Sequence, residues 1–107
     1  MYVRLPIAET RMLTDDALAV RFVVPPERAA EFLFKHGQYL TLRAVIDGEE
    51  LARSYSICSA AGDPAPMIAI KRIDGGRFSD YAHRHFRRGV TVDVAPELPG
   101  LLVTDYA

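Results

Sequence analysis

The chain has 107 residues, half of them hydrophobic, which suits one domain with one modest core. A net charge of −1 does not suggest nucleic acid as a partner, and a single cysteine excludes an internal disulfide and any cysteine-rich iron–sulfur or zinc pattern. The first ten residues, MYVRLPIAET, lack the apolar run of a signal peptide, and no stretch approaches the roughly 18 apolar residues of a membrane helix. We therefore expect a soluble cytoplasmic protein without membrane contact.

The first third of the chain shows the alternation of a half-buried sheet. Apolar residues alternate with polar or small ones over 3–7 and again over 18–24, with a turn at Asp15-Asp16 between them. Pro25-Pro26 ends the second strand, because proline cannot donate to a ladder. Residues 27–34, ERAAEFLF, predict a short helical turn.

Three further strands are predicted in the middle of the chain. Residues 40–46 alternate up to Asp47-Gly48, and this dipeptide between alternating segments is a strong hairpin signal. The returning strand covers about 50–58, and another covers 67–73 before the turn Asp74-Gly75-Gly76.

One convincing helix follows. Ser79 is the predicted N-cap and Gly89 the predicted C′ residue. One helical face would carry Phe78, Ala82, His85 and Phe86. Residues 91–94 predict a last strand. Six short strands with one late helix indicate a mainly β fold, an antiparallel barrel with one capping α-helix.

The segment Arg53-Ser54-Tyr55-Ser56-Ile57-Cys58-Ser59 contains the first candidate binding residues. On a strand, Arg53 and Tyr55 point to the same face. A flat ring and a guanidinium side by side could hold a planar ligand with an anionic tail. By spacing alone, an ordinary exposed Arg/Tyr pair explains the pattern as well.

A second candidate, Gly75-Gly76-Arg77-Phe78-Ser79, leads directly into the helix. Glycines allow close backbone approach, and the N–H groups of a helix N-terminus favour phosphate. The surrounding segment 71–88 carries six basic residues against two acidic ones, which suits an anionic ligand or an acidic partner. A simple turn before an ordinary solvated helix remains the alternative.

Taken in order, Arg-x-Tyr-Ser, a strand with Ile-Lys-Arg, and Gly-Gly-x-x-Ser before a helix resemble the FAD-binding domain of ferredoxin reductases. The upstream segment His36-Gly37-Gln38-Tyr39-Leu40 resembles the family's Pro-Gly-Gln-Tyr, with His36 in place of proline. The similarity extends over about residues 3–95 and includes reductase components of bacterial oxygenases, such as the phenylacetyl-CoA oxygenase reductase group. It implies a six-stranded antiparallel Greek-key barrel.

The resemblance also implies residue roles. Arg53 would bind the FAD pyrophosphate, Tyr55 would stack on the isoalloxazine, and Ser56 would lie near flavin N5, which receives hydride. Tyr55 and Ser56 are therefore the candidate catalytic residues, although Ser56 would need a local twist or bulge to reach the face of Tyr55. The remaining implied cofactor-binding residues are Ser54, Ile70, Lys71, Arg72, Gly76, Arg77, Phe78 and Ser79.

The resemblance predicts a flavin-binding barrel over residues 1–96 and a divergent tail over 97–107. The chain lacks the G-x-G-x-x-G pattern of a nucleotide-binding domain and the cysteine run of a ferredoxin. We therefore expect an FAD domain of an NAD(P)H-dependent reductase, truncated or dependent on a nicotinamide-binding or iron–sulfur partner, with FMN as an alternative cofactor. A non-catalytic barrel that binds a protein or forms a homodimer is the competing hypothesis, and whether the chain alone is an enzyme stays open.

Three other side chains receive structural interpretations. Cys58 is expected to be a small buried residue. His83 and His85 have no further ligand at metal spacing, so surface or packing roles are expected and no metal site is predicted.

Overall fold

The computed structural model describes residues 2–33 and 38–97. Their order along the chain is β1 (Val3–Met12), β2 (Ala17–Phe22), a 3₁₀ helix (Pro26–Phe32), β3 (Tyr39–Ile46), β4 (Glu49–Ser56), β5 (Met67–Lys71), helix α1 (Arg77–His85) and β6 (Thr91–Glu97). The predicted mainly β fold with one late α-helix is therefore confirmed. His36 and Gly37, and nearly all of the predicted tail 97–107, lie outside the described residues, so the proposed domain boundary stays a prediction.

The six strands form one antiparallel sheet in the order β4-β3-β6-β1-β2-β5. β6 returns to lie between β3 and β1, which is a Greek-key connection. The two edge strands, β4 and β5, meet at one bridge between Ile57 and Ile68, where the Cys58 N–H also donates to the Met67 carbonyl at 2.8 Å. The sheet thus curls on itself without closing completely, so the predicted barrel is correct only in a loose sense.

The inner face of the curled sheet forms the core. Alternate residues point inward because the side chains of a strand change face at every step. Helix α1 closes one end, and Phe32 of the 3₁₀ helix also joins the core. Fully burying each large apolar side chain contributes about 1.5–3 kcal/mol to stability. The strand residues with 2 % exposure or less on this face are Leu5, Ile7, Val20, Phe22, Leu40, Leu42, Ile68, Ile70 and Val94.

The β3–β4 hairpin confirms the prediction made from Asp47-Gly48. Both residues have positive φ, 52° and 78°, as the central positions of a tight type I′ turn require. The turn places Ile46 directly opposite Glu49 as the closing pair of the hairpin.

Helix α1 begins earlier than its sequence predicts. Gly76 is the N-cap and Arg77 the first helical residue, so the prediction of Ser79 as N-cap is wrong. Ser79 instead lies in the first turn with its side chain fully buried. Its hydroxyl accepts from the Ile73 N–H at 3.2 Å and donates to the Gly76 carbonyl at 3.2 Å. The hydroxyl therefore ties the preceding turn to the helix.

The end of the helix also differs from the prediction. It ends at His85, and Gly89 lies in a later turn where its φ is +90° and its N–H donates to the Ile7 carbonyl. Gly89 is therefore not the C′ residue. Phe78, Ala82 and Phe86 do face the core, but His85 is exposed. It lies in the last turn at the margin of the buried face, where its ring contacts that of Tyr81 at 4.7 Å.

Candidate functional site

Two neighbouring cavities lie where the edges of the sheet fail to meet. The first, here called the edge cleft, has a volume of about 390 Å³ and is lined by Ser54, Tyr55, Ser56, Cys58, Ala69, Lys71 and Ile73. The second, here called the turn cavity, has a volume of about 300 Å³ and is lined by Arg72, Ile73, Asp74, Gly75, Gly76, Arg77 and Asp80. Ile73 borders both cavities, so they are adjacent. The edge cleft is flanked by strands, whereas the turn cavity is flanked by a glycine turn and a helix N-terminus.

Backbone groups of β5 point into the edge cleft. In an antiparallel ladder, successive residues direct their N–H and C=O groups alternately to the two sides of the strand. The Phe22 N–H donates to the Pro66 carbonyl, and the Arg72 N–H donates to the Asp16 carbonyl. The even-numbered residues from 66 to 72 therefore direct their peptide groups toward β2. The peptide groups of Ala69 and Lys71 are therefore directed toward the edge cleft.

The same argument applies to β4. The Ile57 N–H donates to the Gln38 carbonyl at 3.2 Å, so odd-numbered residues of this strand face β3. The peptide groups of Ser54 and Ser56 are consequently directed away from β3, toward the edge cleft. Two strand edges thus direct peptide groups toward one space, and the bridge between Ile57 and Ile68 pairs some of these groups at one end of it. This arrangement fits a planar heteroaromatic ring system with donors and acceptors along its rim.

Tyr55 and Ser56 both border the edge cleft, but in different ways. Tyr55 is only 8 % exposed and packs on the inner face, with its ring 6.1 Å from that of Phe78. Ser56 is exposed and lies on the opposite face. The β3–β4 register runs without a shift from Ile46 opposite Glu49 to the last pair at Ser56. The β3–β4 ladder therefore contains no bulge at Ser56, and it is the peptide group of Ser56 that faces the cleft.

Arg53 and Ser54 are held by contacts within the sheet. Arg53 is half-buried on the inner face, where its Nη1 donates to the Ala52 carbonyl at 2.8 Å. Across the described residues, Arg53 is not part of the lining of either cavity. The hydroxyl of Ser54 lies 2.7 Å from that of Thr41 on the outer face. Ser54 thus offers its backbone to the cleft while its side chain bonds across the sheet.

The turn cavity depends on glycine at position 76. A Cβ there would lie 2.7 Å from the Ser79 Oγ and 2.9 Å from the Ile73 carbonyl oxygen, closer than real Cβ contacts allow. The Asp80 N–H makes the first bond within the helix, to the Gly76 carbonyl at 3.0 Å. The amides of Arg77, Phe78 and Ser79 precede it and belong to the helix N-terminus, which favours anions.

Carboxylates hold the arginines around the turn cavity. The Asp80 carboxylate accepts from Arg72 at 3.0 Å and from Arg84 at 3.2 Å. Arg77 donates to Glu49, and this hydrogen bond is the main reason why the pKa of its guanidinium is raised above the ordinary value. The basic segment is therefore partly neutralised within the protein.

Sequence reasoning also missed or misplaced several residues. Ile70, Phe78 and Ser79 are fully buried, so their side chains shape the site from the core rather than line it. Cys58 is exposed and lines the edge cleft, so the expectation of a buried cysteine is wrong. Partial burial by the cleft walls nevertheless raises the pKa of its thiol. Ala69 was missed because it contributes only backbone groups. The alternation of peptide groups along a strand, once its neighbour is known, could have revealed it.

The histidines and acidic side chains of the described residues form no second candidate site for a metal ion. His83 Nε2 lies 2.7 Å from the Ile70 carbonyl, a packing role consistent with its predicted one. Within residues 2–33 and 38–97, no group of three or more His, Cys, Asp or Glu side chains could hold a metal ion. In the same residues no helix is long and apolar enough to span a membrane.

A curled antiparallel sheet, with an open cleft beside a glycine turn and a helix N-terminus, fits a flavin-binding domain of the ferredoxin-reductase type. The family described as oxidoreductase FAD-binding domain matches residues 4–96, so the chain belongs to that family, and FAD is its cofactor. The resemblance and the cofactor predicted from the sequence motifs are both confirmed.

Known relatives agree with this assignment. The chain is 44 % identical over 90 residues to one of the subunits of the 1,2-phenylacetyl-CoA epoxidase of Escherichia coli K12, covering 84 % of this chain and 25 % of that protein. It is 44 % identical over 64 residues to the glycine betaine monooxygenase reductase subunit of Pseudomonas aeruginosa, covering 59 % of this chain and 18 % of the relative. The chain thus spans about a quarter or less of these two relatives.

Solved structures show the same fold. The FAD/NAD-binding domain of a nitric oxide dioxygenase from Vibrio cholerae superposes with a TM-score of 0.79 at 22 % identity, covering 95 % of this chain and 46 % of that one. Phthalate dioxygenase reductase, described as a modular structure for electron transfer from pyridine nucleotides to [2Fe-2S], superposes with a TM-score of 0.73 at 28 % identity. That match covers 94 % of this chain and 31 % of the reductase.

Proposed function

We propose that this chain is the flavin-binding unit of an NAD(P)H-dependent reductase that passes electrons to an oxygenase or an iron–sulfur partner. The observation that carries the proposal is the edge cleft, where the backbones of β4 and β5 face one another beside the turn cavity. The relatives that are reductase subunits of oxygenases support the electron-transfer role. Phthalate dioxygenase reductase supports a nicotinamide donor and an iron–sulfur acceptor by analogy.

The edge cleft is assigned to the ring system of the flavin. The peptide groups of Ser54 and Lys71, the Ser56 N–H and the Ala69 carbonyl would hold the polar rim of the ring and fix its orientation. Tyr55 would border the ring from the inner face, and its packing against Phe78 keeps it in place. Bound FAD supplies the hydride and electron chemistry, while the protein supplies position and hydrogen bonds.

The turn cavity is assigned to the phosphates. Gly76 lets the turn pack closely against Ser79 and Ile73 beside the cavity. The amides of Arg77 and Phe78 lie at the helix N-terminus, which favours negative charge. Arg72 and Arg77 border the cavity and can pair with phosphate oxygens. Arg53 lines neither cavity, so in this proposal its side chain must leave the Ala52 carbonyl to reach the ligand.

Titration of the purified protein with FAD, FMN and riboflavin tests these assignments. Absorption and fluorescence should show flavin uptake, with R72M weakening FAD and FMN binding while riboflavin, which has no phosphate, is unaffected. R28M is the matched control, because Arg28 pairs with Glu31 in the 3₁₀ helix. The bound flavin, reduced with dithionite, should then pass electrons singly to ferricyanide.

Absence of flavin uptake by the wild-type chain would overturn the proposal and favour a protein-binding barrel instead. Self-association measured in the same samples by analytical ultracentrifugation would then test the homodimer. If R72M weakened riboflavin as much as FAD, the division into a ring cleft and a phosphate cavity would be wrong.

A further inference from the structure

The guanidinium of Arg77 lies between two cavities. It borders the turn cavity, and it also borders a smaller cavity of about 190 Å³ between the β3–β4 turn and helix α1. Nη1 donates to the Glu49 carboxylate and Nη2 donates to the Ile46 carbonyl at 3.2 Å. Both acceptors belong to the closing pair of the hairpin. Arg77 is therefore held on the hairpin by a carboxylate and a carbonyl that the turn places side by side.

The position of Glu49 follows from the tight turn. Asp47 and Gly48 have the positive φ values that reverse the chain in two residues, which places Glu49 opposite Ile46. Negative charge also surrounds the guanidinium, since Asp47 lies nearby on the hairpin and Asp80 borders both cavities from the helix. The side chains of Arg77 and Glu49 remain 45 % and 61 % exposed, so the pair is solvated.

We propose that Glu49 sets the phosphate affinity of the turn cavity by competing with the ligand for the guanidinium of Arg77. This inference rests on the proposed function, because it assigns the turn cavity to phosphates. While Glu49 compensates its charge, Arg77 attracts a second anion less strongly. An exposed ion pair contributes little to stability and exchanges partners readily. A phosphate group can therefore replace the carboxylate, at a cost in affinity that Glu49 imposes.

Glu49 opposes phosphate binding in this proposal, so removal of its charge should strengthen binding. The variant E49Q keeps the size of the side chain and a hydrogen-bond acceptor but removes the charge. We expect FAD and FMN to bind about three- to tenfold more tightly at low ionic strength. The gain should shrink at about 1 M salt, where the Debye length is roughly 3 Å. Riboflavin affinity should not change.

Two controls separate this specific effect from a general change in charge. E50Q removes the same charge one residue along the strand, but the Glu50 carboxylate pairs with Arg43 at 3.7 Å, so its effect on FAD affinity should be smaller. R77M should weaken FAD binding, and E49Q placed in the R77M background should give no gain. Circular dichroism of each variant reports whether the fold is kept.

The inference is overturned if E49Q leaves FAD affinity unchanged or weakens it. It is also overturned if E50Q gives an equal gain, or if the E49Q gain persists without Arg77. Calorimetric titration of the same variants with inorganic pyrophosphate tests the competition independently of flavin. A wild-type chain that binds pyrophosphate but no flavin would contradict the proposed function, whereas tighter pyrophosphate binding by E49Q would still support the competition.

Discussion

The ring of Tyr55 on β4 packs 6.1 Å from the ring of Phe78 on helix α1, at an angle of 43°. This contact joins the two sequence motifs of the proposed flavin site, since Tyr55 borders the edge cleft and Phe78 belongs to the glycine-turn segment. Phe78 also contacts Phe86 at 6.3 Å with perpendicular rings. The relative position of strand and helix is thus fixed by the aromatic core beneath the site.

Truncation of Phe78 should therefore affect both the fold and the site. Its side chain is fully buried, so F78A should lower the free energy of unfolding by about 3–5 kcal/mol. FAD affinity should fall with it, because Tyr55 loses its neighbour at the cleft. Urea denaturation and FAD titration measure the two effects. F78L, which keeps most of the volume, should retain folding, and unchanged FAD affinity in a folded F78L variant would show that the ring contact does not position Tyr55.

Substitution of Gly76 should damage the turn cavity through crowding. In G76A the new Cβ would meet the Ser79 Oγ and the Ile73 carbonyl, so we expect a loss of about 1–3 kcal/mol in stability and weaker FAD binding. G62A is the contrasting variant, because Gly62 has φ +84° and nothing near its Cβ position, so it should lose stability through backbone strain alone and leave FAD affinity unchanged. Adding S79A to G76A should cost less than S79A does alone, since one of the crowding atoms is removed. Fully additive costs would contradict this geometry.

Alkylation of Cys58 offers a direct test of where FAD binds. This residue is the sole cysteine of the chain and lines the edge cleft, so iodoacetamide labels one known position. Because partial burial raises the pKa of the thiol above its ordinary value of 9.0, labelling should be slow at neutral pH and accelerate above pH 9. Saturating FAD should slow it at least several-fold, as followed by mass spectrometry. An unchanged rate would show that the flavin does not occupy this cleft, and C58S serves as the unlabelled control.

Asp63, in the loop before β5, should make the free energy of unfolding fall as the pH is lowered into the acid range. The Asp63 carboxylate accepts from the Ala65 N–H at 2.9 Å and from Arg21 at 3.2 Å, and these bonds, the backbone one first, lower the pKa of Asp63 below 3.8. A carboxyl with a lowered folded pKa contributes stability that is present above its unfolded pKa and is lost as pH falls through the folded value. The difference in unfolding free energy between wild type and D63N should therefore be present at pH 7 and narrow below about pH 3.8.

The matched control for this prediction is D15N, which removes the same charge from the exposed β1–β2 turn. It should change the unfolding free energy by less than about 0.5 kcal/mol at neutral pH. A wild-type advantage over D63N that does not narrow in acid would show that Asp63 stabilises the loop through its shape rather than its charge.

Much of the fold could be predicted because the relevant signals are local. Two-residue alternation predicts the six strands, and Asp47-Gly48 predicts the hairpin, since each depends on the pleat or on backbone φ alone. The helix ends were less predictable. Ser79 has the chemistry of an N-cap, but its hydroxyl bonds to Ile73 and Gly76 instead. Because Ile73 lies before the helix, the position of the helix start depends on a contact that the local pattern does not show. Cys58 is exposed because the sheet edges part beside it.

The sequence by itself determined the class of the protein, because the order of its motifs is characteristic of one family and each motif acts over a few residues. It also predicted two segments whose residues border the two cavities. The tertiary structure decided which strand edges stay open, which backbone groups of Ala69 and Lys71 face the cleft, and that Glu49 holds Arg77. These features depend on residues distant along the chain meeting in space, and chain-local patterns of hydrophobicity and turn chemistry carry no information about such pairings.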